Sequence, residues 1–224
     1  LFPYTTLFRS LQIPFKNLYN WLDKGWLDIQ RESLPDRGVR YRKKHDGRGH
    51  YTHGVKFIDQ RPDEANLRQE IGHFEVDTVL SGKTKGEVLA TLTDRKSRLT
   101  IIRRLPGRDS KAMTEAILKF NEELYGLMKS ITSDHGKEFA GFKQIEASGI
   151  AHYFAHPYAP HERGTNERLN REIRRYIPKH RPIEQVTDEE LTRISKYLNC
   201  RPRKCLGWKT PLQVFFNDLP EKFD

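Results

Sequence analysis

Three acidic residues have the type and setting to do chemistry: Asp77 in the run HFEVDTVL, Asp134 closing KSITSD, and Glu167 in TNERLNREIRRY. Asp77 stands among Phe74, Val76 and Val79, so its strand should be buried, and a carboxylate there is costly unless it is paired or ligates a metal. Asp134 ends a strand-like run and is followed by His135-Gly136, as an acid at a functional edge of an α/β sheet would be. Glu167 opens a helical stretch. Each has a bland alternative: an exposed strand end for Asp77, a turn-forming Asp-X-Gly for Asp134, and a solvated i,i+4 pair with Arg171 for Glu167. Together, three acids at the ends of separate elements could converge on one sheet edge. Hard carboxylate oxygens suit Mg²⁺ or Mn²⁺ rather than zinc, and two such ions could clamp the attacking and leaving oxygens of a phosphodiester.

The elements that must position these acids can be read from periodicity. HFEVDTVL, EVLATLTD and LTIIRRL read as three strands joined by short polar turns. A helix follows from about Asp109 to Tyr125, with Met113, Ala116, Ile117, Phe120 and Leu124 on its apolar face, a cap at Asp109 or Ser110, and a stop at Gly126. KSITSD is a fourth strand, Phe139–Ala147 a short helix and AHYFA a fifth strand. A helix from about Thr165 to before Pro178 carries Leu169, Ile173 and Tyr176 on one face and Glu167, Arg171 and Arg174 on the other. Further helices are predicted over Asp188–Asn199 and Pro211–Phe216, the latter capped by Thr210 with Pro211 in its first turn. The order matches a ribonuclease H-like domain, and it also matches other mixed sheets.

Composition narrows the partners. A net charge of +10 and a pI near 9.6 favour a polyanion such as nucleic acid, or else a solvated basic surface. The apolar runs are far too short for a membrane span. Cys200 and Cys205 supply neither a disulfide framework nor a second pair for zinc, which places the chain in a reducing cytoplasm. His45, His50 and His53 could bind a metal or simply lie in a polar loop.

Five segments, GHFEVDTVLSG, TLTDRKSR, TSDHGKEF, YFAHPYAPHERGTNERLNREIRRYIPK and LNCRPRKCLGWKTPLQVF, together resemble the transposases of the insertion sequence 30 family. They occur in the family's order over about residues 55 to 217. The resemblance implies an α/β, ribonuclease H-like fold with a mixed five-stranded sheet flanked by helices. It also implies a DDE transposase core that cleaves DNA and transfers strands, with Asp77, Asp134 and Glu167 as catalytic and metal-binding residues. Two Mg²⁺ or Mn²⁺ ions would be the cofactor. Asn166, Arg171, Arg174 and Arg175 would contact DNA, with Arg174 matching a basic residue usual seven positions after the glutamate. The implied partners are transposon terminal inverted repeats, target DNA and further copies of the chain on DNA, with no membrane. The implied location is the bacterial cytoplasm, at the nucleoid. His135 departs from the Asn more usual in the family. The last segment argues against a structure-resolving or RNA-cleaving nuclease on the same fold.

The remaining organisation is expected as follows. Residues 1–10, LFPYTTLFRS, resemble one frame of a sequencing adapter and read as non-native. Residues 11–30, with Leu18, Trp21, Leu22 and a stop at Gly25, read as the remnant of a helix-turn-helix DNA-binding region. Residues 31–64, including Arg40, Arg42, Lys43 and Lys44, read as a basic linker, and residues 65–220 as the integrase-type catalytic core. A truncated, non-catalytic DNA-binding fragment is the competing reading.

Overall fold

The computed structural model describes residues 15–30, 33, 54–81, 86–156, 159, 162 and 164–219. The adapter-like residues 1–10, the basic cluster at 40–44 and the three histidines at 45, 50 and 53 lie outside the described residues. The chain divides into two units, Leu1–Arg48 and Gly49–Asp224. In the first, helix α1 covers Phe15–Asp23. It ends as its sequence dictates: Gly25 takes φ +69° and its N–H donates to the Leu22 carbonyl at 3.1 Å.

The second unit is built on a six-stranded sheet. Its strands are β1 (Lys56–Phe57), β2 (His73–Leu80), β3 (Val88–Asp94), β4 (Thr100–Leu105), β5 (Ser130–Ser133) and β6 (Ala151–Phe154), in the order β1-β6-β5-β2-β3-β4. β2, β3 and β4 form an antiparallel meander, and β5, β6 and β1 add in parallel on the other side of β2. The helices are α2 (Asp63–Leu67), α3 (Ser110–Glu123), α4 (Phe142–Ala147), α5 (Gly164–Tyr176), α6 (Asp188–Cys200) and α7 (Pro211–Asn217). The five strands read from the sequence are all present. The sixth, Lys56–Phe57, pairs with Tyr153–Phe154, inside the segment expected to be a linker up to residue 64.

Strand pleating gives the sheet two unlike sides. Phe74 and Val76 of β2, Ala90 and Leu92 of β3 and Ile131 of β5 join α3 and α4 in the larger apolar cluster. On the opposite side, Val79 and Leu89 pack under Leu169 and Ile173 of α5 and Leu191, Ile194 and Leu198 of α6. Full burial of each such side chain contributes about 1.5–3 kcal/mol. Tyr176 does not join this cluster. It is partly exposed and meets Tyr197 edge-on at 5.3 Å, and Ile177 takes the core position instead. Asp109 caps α3 by accepting from the Ala112 N–H, and Thr187 and Thr210 close capping boxes on α6 and α7. At the outer edge, Arg103 of β4 is bonded to Glu123, and Arg104 reaches Glu87, Asp188 and the Val186 carbonyl.

One titratable group is sealed in the apolar side. His152 is fully buried, stacked on Phe154 at 4.4 Å and met edge-on by Phe139 and Phe142. Its Nε2 lies 2.7 Å from the Ser133 hydroxyl. Burial, then the neighbouring His135, pushes its pKa down to about 3. The unfolded chain takes up this proton near pH 6.5, so the native state binds fewer protons between pH 6.5 and 3, and stability falls as pH drops through that window. Acidification from pH 7 to pH 5 should cost about 2 kcal/mol through this residue. Urea unfolding at the two pH values should show a smaller pH effect in His152→Gln than in the parent. An equal effect in both would rule out His152 as the source.

Candidate active site

The β2–β5 register assembles the first two acids. Glu75 pairs with Thr132, and Asp77 and Asp134 each follow two residues further on, at the same end of these neighbouring parallel strands. Both are half-buried, and Asp77 faces α5 through Asn170. The Asp77 carboxylate is held at both oxygens: Oδ1 accepts from the Thr78 N–H at 2.9 Å and Oδ2 from Asn170 Nδ2 at 2.8 Å. Asp134 Oδ1 accepts from the Gly136 N–H at 2.8 Å, so the Asp-X-Gly turn is real and serves to orient the carboxylate.

Behind the turn lies a fourth carboxylate. Glu138 is buried to 1% exposure, and its Oε1 accepts from the Thr78 hydroxyl at 2.9 Å and from Arg108 Nε at 2.8 Å. A Cβ on Gly136 would stand 2.5 Å from Glu138 Oε2, so only glycine lets the Asp134 turn close over this carboxylate. Thr78 therefore links the two halves: its N–H orients Asp77 and its hydroxyl holds the group beneath Asp134.

Glu167 sits in the first turn of α5 and is exposed. Asn170, which grips Asp77, follows it by one turn, and residues so spaced are neighbours about 5–6 Å apart on a helix. Glu167 thus flanks the pair without joining it. Among the described residues, no three His, Cys, Asp or Glu side chains are grouped closely enough to hold one ion.

The other expected site residues divide. Arg171 and Arg175 are exposed. Arg174 is half-buried and turned inward, with Nη2 donating to the Leu80 carbonyl, which pins α5 to β2. Asn166 is buried to 1% exposure, and neither of its side-chain polar atoms has a hydrogen-bond partner among the described residues. Asn170, Glu138 and Thr78 escaped the sequence reading. The spacing of Asn170 three residues after Glu167 was available as a signal. Glu138 carried none, because an acid in a polar turn reads as solvated. His135 is half-buried against Phe57 and Phe154, with ring centroids 5.8 and 5.1 Å away.

An integrase core domain matches residues 68–160, a span that contains Asp77 and Asp134. The chain is 44% identical over 159 residues to transposase InsI of insertion sequence element IS30C from Escherichia coli K12, covering 70% of this chain and 41% of that protein. The chain is thus similar to the integrase-core transposases of the insertion sequence 30 family. The match extends further along the transposase of IS4351 from Bacteroides fragilis, at 35% identity over 212 residues, 91% of this chain and 64% of that protein. The chain thus spans less than two thirds of the length of either relative. The fold of the integrase core agrees: the catalytic core domain of BIV integrase superposes with a TM-score of 0.51 at 19% identity, over 68% of this chain and 99% of that one. The sheet is ribonuclease H-like. Among the described residues, no helix is long and apolar enough to cross a membrane.

Proposed function

We propose that this chain is the catalytic core of a transposase that cuts phosphodiesters at insertion-sequence ends and joins the freed strand to target DNA. The observation that supports it best is the placement of Asp77 and Asp134 at the same end of neighbouring parallel strands, each with one carboxylate oxygen oriented by a backbone N–H. This donor set fits a hard divalent cation. Asp77 and Asp134 would hold Mg²⁺ or Mn²⁺, with Glu167 completing a site for two ions. The bound ions would supply charge neutralisation and an acidified water.

The residues of the chain do the positioning. Asn170 keeps the Asp77 carboxylate turned toward Asp134, and Arg174 fixes the helix that carries Glu167. Water attacks phosphorus and the bond to the 3′ oxygen breaks, leaving a 3′-hydroxyl and a 5′-phosphate. The hydroxyl then attacks a target phosphodiester, and one P–O bond forms as another breaks. Arg171 and Arg175 contact the DNA backbone, which positions the duplex without reading it. The terminal inverted repeats, target DNA and further copies of the chain are the partners, in a bacterial cytoplasm at the nucleoid. The segments at 1–10, 11–30 and 31–64 and the core at 65–220 remain our division of the chain, with the sheet's first strand inside the third segment.

Incubation with supercoiled plasmid carrying an element end tests this reading. Nicked product should accumulate with Mn²⁺ and vanish with a chelator. Salt-sensitive DNA binding without any metal-dependent nicking would instead favour a DNA-binding fragment.

A further inference from the structure

A cavity of about 90 Å³ opens beside α5, lined by Thr93, Arg98, Thr100, Arg168, Leu169 and Arg203. It exceeds the space one water needs. Its floor is the Thr93–Thr100 pair of β3 and β4, whose hydroxyls are 3.4 Å apart. Three guanidinium groups reach it from three separate segments: the turn between β3 and β4, helix α5, and the chain just after α6. Burial lowers the pKa of Arg98 and of Arg203. Since a guanidinium keeps its proton, this means two charges with poor hydration and a need for anionic contact.

For Arg203 the protein meets that need only in part. Glu172 lies 3.6 Å from Arg168 Nε and also faces Arg203. Arg203 donates from Nη2 to the Leu198 carbonyl at 3.1 Å, while its Nε is buried without an acceptor among the described residues. Arg168 and Arg203 thus share one adjacent carboxylate, and the orphan Arg203 donor at a cavity that Arg98 also lines makes a seat for an oxyanion.

Its position says which oxyanion. Thr93 pairs with Glu75, and Asp77 lies two residues further along the same strand on the same side of the sheet. One strand across and two residues along amounts to about 8 Å between backbones. Arg168 directly follows Glu167 on α5. We propose that this cavity seats a DNA backbone phosphate one or two nucleotides from the reacting phosphodiester, with Arg98, Arg168 and Arg203 as its donors. The proposal rests on the transposase reading of the carboxylates but is tested apart from cleavage.

The test is binding of a labelled duplex without divalent metal, titrated with KCl. Arg168 is the variant of choice because its side chain is 72% exposed, so Arg168→Gln should fold. Losing one phosphate contact should lower the slope of log affinity against log salt by about 0.9, for any DNA sequence. Arg168→Lys should restore the slope. Lys111→Gln on α3, on the opposite side of the sheet, should leave it unchanged. Wild-type slope and affinity in folded Arg168→Gln, or an equal loss in Lys111→Gln, would overturn the proposal. A free oxyanion is distinguished by thermal unfolding in inorganic phosphate against KCl at matched ionic strength. Phosphate stabilisation that Arg168→Gln abolishes, with its DNA slope intact, would assign the cavity to a free oxyanion and overturn the DNA seat. Failure of metal-dependent nicking in the parent chain would leave these binding results standing, so the two readings can fail separately.

Discussion

Replacing Asp134 by Asn should abolish metal-dependent nicking while leaving the fold intact. The amide has the shape of the carboxylate, and its oxygen can still accept from the Gly136 N–H that now bonds Oδ1 at 2.8 Å. The turn over Glu138 should therefore close as before. What disappears is the negative charge beside Asp77 that a divalent cation needs. Loss of one member of a catalytic unit typically costs about a thousandfold or more, so nicking should fall to the level seen with chelator. Stability should hold, because the bond from the Gly136 N–H survives the change. A melting curve and a nicking assay on the same preparation check both halves. Metal-dependent nicking that survives in folded Asp134→Asn would refute the assignment of this carboxylate.

The largest effect on stability should come from a residue with no part in the chemistry. Arg95 and Glu75 form an ion pair with both partners buried, to 5% and 2% exposure. Arg95 also donates from Nε to the Ala65 carbonyl at 2.9 Å, tying α2 to the strands. Changing Arg95 to Leu strands the Glu75 carboxylate in the interior, and breaking such a pair costs about 3–5 kcal/mol. Arg61 should bring the cost toward the lower end. It is buried close by, with its pKa lowered to about 10 by burial and then by the repulsion of Arg95, while Glu75 acts to raise it. The double variant Glu75→Leu with Arg95→Leu should recover much of the loss, since neither charge then remains buried and alone. Urea unfolding of the two single variants and the double measures the coupling. A double variant as unstable as the sum of the singles would show that packing, not the charge pair, sets the cost.

These two residues also show what the sequence could and could not reveal. The apolar alternation of β2 is legible, and so is the side that carries Phe74 and Val76. Asp77 reads as an exposed strand end or a site, and nothing local marks His73 and Glu75 on the same side as buried, yet both are. They are covered by α2 and by Arg61 and Arg95, which approach from distant points of the chain, and local periodicity carries no trace of such a lid. Helix limits fared better, because Asp109, Thr187 and Thr210 carry their capping chemistry in their own side chains. The α5 helix was placed from its period, but its rotation was not fixed. Arg174 turns inward to a carbonyl, Tyr176 turns out to Tyr197, and Asn170 rather than a charged residue faces Asp77. The two-residue strand Lys56–Phe57 was invisible, since it exists only through its pairing with β6.

The outer strand β4 bears on how copies of the chain can meet. An unpaired sheet border is a template on which another chain can lay a strand, and two copies joined that way propagate into aggregates. Here the border carries consecutive arginines, each already engaged by its own molecule: Arg103 by Glu123, and Arg104 by Glu87, Asp188 and a backbone carbonyl. An approaching strand would have to displace those partners and bring a second pair of guanidinium groups against the first. Self-association along this border is thereby penalised.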